Sequence, residues 1–82
     1  MYKNRSRDGK LNICGQKVKS MRKALGADVS QKVFADMLVL AGLDLDKNAI
    51  QRIESGKRFV TDIELKTIAQ VLHTTTDELL KD

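Results

Sequence analysis

Residues 49–58 read Ala-Ile-Gln-Arg-Ile-Glu-Ser-Gly-Lys-Arg, and this stretch carries the strongest structural signal in the chain. Ile50 and Ile53 are three residues apart, so on a helix both point to one side while Gln51 and Arg52 point elsewhere. Gly56 is the residue type that commonly ends a helix in a left-handed conformation. The stretch therefore predicts the second half of a short amphipathic helix, closed by glycine and followed by two cations. Such a helix presents amide and guanidinium groups that suit a DNA groove.

The composition favours one small all-α domain. The chain has 82 residues, which leaves room for a single core. It contains no Pro, no Trp, one Tyr and two Phe, whereas a sheet protein would be richer in aromatic and β-branched runs. No apolar run approaches the roughly 20 residues that cross a bilayer, and the charged N-terminus has no apolar signal core. We therefore expect a cytoplasmic protein that makes no membrane contact.

The sequence gives little support to an enzyme. Cys14 is the single cysteine, so it makes no internal disulfide, which fits a reducing cytosol. A catalytic thiol needs a histidine partner, and the one histidine, His73, lies in a segment without a supporting motif. We predict no catalytic activity, no cofactor and no small-molecule substrate.

Positive charge is concentrated at the N-terminal end. The formal net charge is +4, but residues 1–26 carry eight Lys or Arg and one Asp. The remaining residues, 27–82, are slightly acidic. A basic end is a plausible electrostatic footprint for phosphate, and for residues 2–10 taken alone it is equally consistent with a solvated tail.

The pattern predicts a compact bundle of five short helices in residues 12–82, preceded by a flexible basic N-terminal arm in residues 1–11. Asn12 is a suitable cap for a first helix that runs to about Ala24, with a buried stripe of Cys14, Val18, Met21 and Leu25. Ser30 caps a second helix that is apolar nearly all round and is stopped by Gly42.

Helix caps also mark the last three helices. Asp44 or Asp46 caps the third helix, which ends near Ser55. Thr61 and Glu64 have the spacing of a capping box and begin a fourth helix. Its predicted core positions are Ile63, Leu65, Ile68, Ala69 and Leu72. The same spacing recurs from Thr75 to Glu78 before a short fifth helix.

Together these elements resemble the lambda-repressor-like helix-turn-helix family, the Cro/XRE-type regulators. The resemblance covers most of the chain and includes a basic first helix, the Ser30-Gln31 opening of the second, and residues 50–58. A Leu-x-x-Ile-Ala helix follows at residues 65–72, then Asp-Glu-Leu-Leu at residues 77–80. Members of the family are expected to be sequence-specific double-stranded DNA-binding domains.

One departure from the family concerns the distance between helices two and three. Gln31 and Gly56 are about five residues further apart than a tight helix-turn-helix connection allows. The extra residues fall within residues 39–44. Either helix two is extended by a turn, or the connector is a true loop.

The resemblance implies that helix three enters the major groove and that the preceding helix crosses the DNA backbone. With Ile50 and Ile53 facing inward, the residues expected to read bases are Lys47, Asn48, Gln51 and Arg52. Asn and Gln pair with adenine, while Lys and Arg suit guanine O6 and N7. The residues expected to contact the DNA backbone are Gln31, Lys32, Lys57 and Arg58. A polar solvent-facing helix surface is the alternative interpretation of the first set.

The resemblance also implies a structural ion pair between Arg22 and Glu54, which would tie helix one to helix three. Residues 44–48 have Asp, Asp and Asn at alternate positions, as in the calcium-binding loop of an EF-hand. The sixth position of that loop requires Gly and is Ala49, and the twelfth requires Glu and is Ser55. We therefore predict no metal site.

The leading hypothesis is a transcriptional regulator, a repressor in its simplest form, that blocks an operator by occupancy as a homodimer. Two-fold pairing would double the few base contacts of so small a domain. Four apolar residues, Val39, Leu40, Leu43 and Leu45, form either the dimer seam or the buried side of an extended helix two. The alternative function is an antitoxin-like protein-interaction module of the same fold. DNA binding would weaken steeply as salt rises, and apolar protein association would not.

Overall fold

The structure is a computed structural model that describes residues 9–81, and these residues contain five α-helices and no strand. The helices are α1 (Gly15–Leu25), α2 (Gln31–Leu40), α3 (Lys47–Glu54), α4 (Asp62–Val71) and α5 (Thr76–Leu80). The predicted all-α fold of five short helices is confirmed. In residues 9–81 no helix has the length and apolar character to span a bilayer. The predicted arm, residues 1–11, lies mostly outside the described residues.

Local side-chain caps set the beginnings of four helices, as the sequence predicts. Each capping oxygen accepts a hydrogen bond from a backbone amide three residues on; the caps are Ser30, Asp46, Thr61 and Thr75. At α4 the capping box is complete, because Glu64 Oε1 also accepts from the Thr61 amide at 3.0 Å. Of the two candidate caps for α3, Asp46 is the one used, accepting from the Ala49 amide at 2.8 Å.

The first helix begins later than predicted. Asn12 does not occupy the cap position; α1 starts at Gly15, and Cys14 precedes it without a side-chain capping bond. Asn12 Oδ1 still accepts from the Gly15 amide at 2.9 Å, but the rest of its side chain is turned towards α3. Local spacing could not show this, because the competing partners of Asn12 lie more than forty residues away.

The core lies where α2 packs against both α3 and α4, with α1 against α3 and α5 against α4. Its fully covered side chains are aliphatic apart from Phe34 and Cys14; the others are Val18, Leu38, Ile50, Ile53, Ile68 and Leu79. The inward orientation predicted for Ile50 and Ile53 is confirmed, since neither side chain retains exposed area. This packing fixes which side of α3 is left on the surface.

Ile63 is not a core residue, contrary to the prediction, and 72% of it is exposed. The true stripe of α4 runs through Leu65, Ile68, Ala69 and Leu72. Five residues before Ile68, the side chain of Ile63 is rotated by about 140° around the helix axis, away from the stripe. The prediction was wrong because Ile63 is apolar but lies off the three- and four-residue spacing that Leu65, Ile68 and Leu72 share.

The extra residues between helices two and three form a connector. Helix α2 ends at Leu40, and α3 begins at Lys47. Within the connector Leu45 is buried and Leu43 packs against the core, so neither is available as a surface seam. Val39 and Leu40 remain 49% and 89% exposed. The connector thus carries part of the core.

A strained residue closes α4. His73 has φ 58°, the left-handed region, and the amide of Thr74 donates to the Ala69 carbonyl at 2.9 Å. The left-handed conformation costs a non-glycine residue about 1–2 kcal/mol, which glycine would not incur. Part of this gain in stability is offset because glycine gives the unfolded chain more conformational entropy. We expect His73→Gly to raise Tm by roughly 2–6 °C in a thermal melt. His73→Ala, which keeps the strain, should give no increase; equal increases in both variants would contradict the explanation.

Candidate nucleic-acid interface

Helix α3 is divided into a buried side and a cationic exposed side. Ile50, Ile53 and Glu54 are buried. The four residues predicted to read bases, Lys47, Asn48, Gln51 and Arg52, are all exposed. Their spacing places them on a common helix face. Glu54 is the one carboxylate in α3, and because it is buried the exposed face carries only positive charge and amides.

A buried ion pair anchors α3 to α1. Arg22 Nε donates to Glu54 Oε2 at 2.7 Å, and Arg22 Nη2 donates to Glu54 Oε1 at 3.1 Å. The side chains are only 8% and 3% exposed, so water contributes little to either charge. Two parallel hydrogen bonds of this kind fix orientation as well as distance. The pair therefore sets how α3 sits against α1.

Helix α2 joins the same network through Gln31. Its Nε2 donates to Glu54 Oε1 at 3.0 Å, so the carboxylate accepts from both neighbouring helices. Arg22 Nη1 also donates to the Val29 carbonyl, in the turn before α2, at 2.8 Å. Among the described residues no buried side-chain nitrogen or oxygen lacks a partner. The angle between α2 and α3 is thus held by polar contacts as well as by apolar packing.

Asn12 fastens the C-terminal end of α3 and was not recognised as a site residue in the sequence. Its Nδ2 donates to the Ile53 carbonyl at 3.0 Å and to the Arg58 carbonyl at 2.8 Å. Beside it, the Leu11 amide donates to the Gly56 carbonyl at 2.8 Å. Leu11, assigned to the arm from sequence, is therefore bonded to the loop after α3. Residues 11–12 thus bond one carbonyl in the last turn of α3 and two carbonyls in the loop that follows it.

The residues predicted to contact the DNA backbone differ in how they are held. Lys57 is exposed, whereas Gln31 is half-buried in the network around Glu54. Lys32 Nζ lies 3.2 Å from Asp36 in an exposed pair one helical turn apart. Exposed pairs of this kind are weak, so Lys32 can exchange Asp36 for another anion at little cost. Contact between these side chains and phosphate stays a prediction.

Arg58 lies in an ion pair that the sequence did not reveal. Its Nη1 and Nη2 donate to the two carboxylate oxygens of Glu64 at 2.9 and 3.0 Å. The bond from Arg58 is the main cause of a Glu64 pKa below its ordinary value, and Glu64 in turn raises the pKa of Arg58. Both groups are charged at neutral pH. Glu64 was predicted only as part of a capping box.

Cys14, His73 and Asp46 have different surroundings in the structure. Cys14 is buried, and burial raises the pKa of its thiol, which disfavours the nucleophilic thiolate. His73 is exposed at the end of α4. Asp46 caps α3, and in residues 9–81 no three His, Cys, Asp or Glu side chains come together as a metal site requires.

Two known proteins are similar to this chain. The control protein C.MunI from a Mycoplasma species is 40% identical over 68 residues, which is 83% of this chain and 84% of that protein. The crystal structure of the restriction-modification controller protein C.AhdI from Aeromonas hydrophila superimposes with a TM-score of 0.65 at 30% identity. The superposition covers 80% of this chain and 86% of that one. No profile of a known protein family matches the chain.

Both similarities extend over at least four-fifths of this chain. Identity and coverage at this level exceed what a shared fold alone would give. The chain belongs to the controller proteins of restriction-modification systems, DNA-binding transcriptional regulators of the Cro/XRE helix-turn-helix type.

Proposed function

We propose that this protein binds an operator of a restriction-modification locus as a homodimer and regulates transcription by occupying it. The observation that carries the proposal is the exposed face of α3, where Lys47, Asn48, Gln51 and Arg52 form one cationic and amide-bearing surface. These residue types make the common bidentate contacts to guanine and adenine. The proteins it resembles are controllers of such systems, which supports the choice of locus.

Base reading and backbone contact are assigned to different elements. The α3 face enters the major groove, where Asn48 and Gln51 suit adenine and Lys47 and Arg52 suit guanine. Lys32 at the first turn of α2 and Lys57 in the loop after α3 meet phosphate. Gln31 contacts the backbone at the N-terminus of α2, where free amides and the helix dipole favour an anion. Regulation follows from occupancy, with no chemical step.

The test is a selection of bound duplexes from random DNA, using the native chain, Asn48→Ala and Arg52→Ala. The native chain should enrich two related half-sites about one helical turn apart. Each variant should lose preference at one position of each half-site and bind about 10- to 100-fold more weakly per contact. No enriched sequence for the native chain would rule out sequence-specific binding. An unchanged sequence in both variants would refute the assignment of the reading residues.

Salt dependence tests the backbone contacts and separates DNA binding from a protein-interaction role. Lys57→Ala should weaken binding to all sequences alike and reduce the slope of log affinity against log salt by about one. Lys66→Ala, which removes an exposed lysine from α4, is the matched control and should leave the slope unchanged. If the affinity for DNA hardly changes with salt concentration, the phosphate contacts are contradicted and the antitoxin-like alternative is favoured.

We propose a homodimer because a symmetric operator is read by a symmetric protein. Two exposed apolar regions can form the seam: Val39 and Leu40 at the end of α2, or Phe59 and Ile63 around the start of α4. Sedimentation of Leu40→Lys and Ile63→Lys distinguishes them, since only the variant in the seam should sediment as a monomer. A native chain that stays monomeric both free and on the operator would contradict the dimer.

A further inference from the structure

The loop between α3 and α4, residues 55–61, is held at several points along its backbone. The Lys57 amide donates to the Arg52 carbonyl at 2.8 Å. The Gly56 carbonyl accepts from the Leu11 amide, and the Arg58 carbonyl accepts from Asn12 Nδ2. The backbone of Arg58 is therefore fixed in position relative to the end of α3. Any ligand of Arg58 has a defined position with respect to the reading helix.

The guanidinium of Arg58 is fixed as firmly as its backbone. Its Nη1 and Nη2 donate to the two oxygens of Glu64, and Nη1 also donates to the Phe59 carbonyl at 2.9 Å. Glu64 is itself held by the capping box, since its Oε1 accepts from the Thr61 amide. The two side chains are 27% and 14% exposed. Glu64 thus provides a rigid, partly covered support for the arginine.

Glu64 uses only one edge of the guanidinium. An arginine has five N–H donors; Nη1 commits two of them and Nη2 commits one. The donors that remain are Nε–H and the second hydrogen of Nη2, which lie side by side on the adjacent edge. Such an edge matches two oxygens of one phosphate. Glu64 and a phosphate can therefore bind Arg58 at the same time, on different edges.

We propose that Glu64 is a positioning residue, which holds Arg58 so that its Nε–Nη2 edge receives a DNA phosphate next to the reading helix. The inference rests on the proposed DNA-binding function. It adds that the Glu64 carboxylate, although negatively charged, increases the affinity of the protein for DNA. Its physical basis is preorganisation: the arginine is ordered before DNA arrives, so less side-chain freedom is lost on binding. A carboxylate that merely competed with phosphate would have the opposite effect.

The decisive variant is Glu64→Gln, measured for affinity on the enriched duplex from the selection above. Glutamine retains an acceptor for the Thr61 amide but loses the charge-assisted fork to Arg58. The matched control is Asp62→Asn, two residues earlier on α4, which removes the same charge from an exposed residue not bonded to Arg58. We expect Glu64→Gln to bind about two- to tenfold more weakly than Asp62→Asn.

A double-mutant cycle with Arg58→Ala tests whether Glu64 acts through the arginine. In the Arg58→Ala background Glu64→Gln should have no effect on affinity beyond that of Asp62→Asn, and the slope against salt should already be reduced by about one. Thermal melts of all variants identify any loss of affinity that comes from unfolding. A purely structural role for Glu64 would lower Tm while leaving the affinity of the folded fraction unchanged.

The outcomes separate this inference from the proposed function. Equal affinities of Glu64→Gln and Asp62→Asn, or tighter binding by Glu64→Gln, would overturn the positioning role while Arg52→Ala and Lys57→Ala still weaken binding. Failure of the native chain to bind any selected duplex would instead overturn the DNA-binding proposal itself.

Discussion

Replacing Glu54 with alanine is expected to destabilise the protein by about 3–5 kcal/mol, because it leaves the buried Arg22 guanidinium without its counter-charge. Arg22 is 7% exposed and directs both Nε and Nη2 to Glu54. The Gln31 amide loses its acceptor as well. Small domains have a total stability of roughly 5–15 kcal/mol, so this loss should leave a substantial unfolded fraction. Urea titration at 25 °C measures the change in the free energy of unfolding.

Two further variants distinguish a charge effect from a packing effect at this position. Glu54→Gln keeps the shape of the side chain and one acceptor oxygen, so it should lower the free energy of unfolding by less than Glu54→Ala does. The double variant Arg22→Met with Glu54→Leu replaces both charges by apolar groups of similar volume and should recover most of the stability. If Glu54→Ala costs less than about 1 kcal/mol, the pair would have the weak energetics of a surface salt bridge.

The features that the sequence predicts correctly are those encoded within a few residues. The caps at Ser30, Thr61 and Thr75 are local hydrogen bonds, so residue type and spacing specify them. The burial of Ile50 and Ile53 follows from helical spacing in the same way. Because these signals agree along the chain, the five-helix fold was predictable.

The features that could not be predicted depend on residues far apart in the chain. Asn12 looked like an ordinary helix cap, because nothing near it indicates that its amide reaches the Ile53 carbonyl in α3 and the Arg58 carbonyl in the loop after it. Arg58 looked like a free cation, since the fork to Glu64 forms only when the loop folds back onto α4. The resemblance implied the contact between Arg22 and Glu54, which residue spacing alone does not indicate.

Gly15 is another residue whose role depends on a contact distant in sequence. Gly15 is buried at the start of α1, where that helix crosses the end of α3. A Cβ at this position would overlap the carbonyl oxygen of Ile53 and lie 3.2 Å from that of Glu54 and 3.0 Å from Asn12 Oδ1. No left-handed backbone is involved, so the need for glycine comes from the close approach of two helices.

Gly15→Ala should therefore destabilise the protein by about 3 kcal/mol, at the upper end of the range for overpacking, because backbone atoms cannot rotate away as a side chain can. Displacement of Asn12 adds the loss of one or more of its three hydrogen bonds, each worth about 1 kcal/mol, and alanine's better helix propensity returns about as much as one of them. The matched control is Ser20→Ala, an exposed position of the same helix, which should be neutral or slightly stabilising. Urea titration of both variants gives the comparison. Equal stability of the two variants would show that the two helices can separate without cost. Since the added methyl group pushes α1 away from the end of α3, the folded Gly15→Ala variant should also bind the selected duplex more weakly than Ser20→Ala.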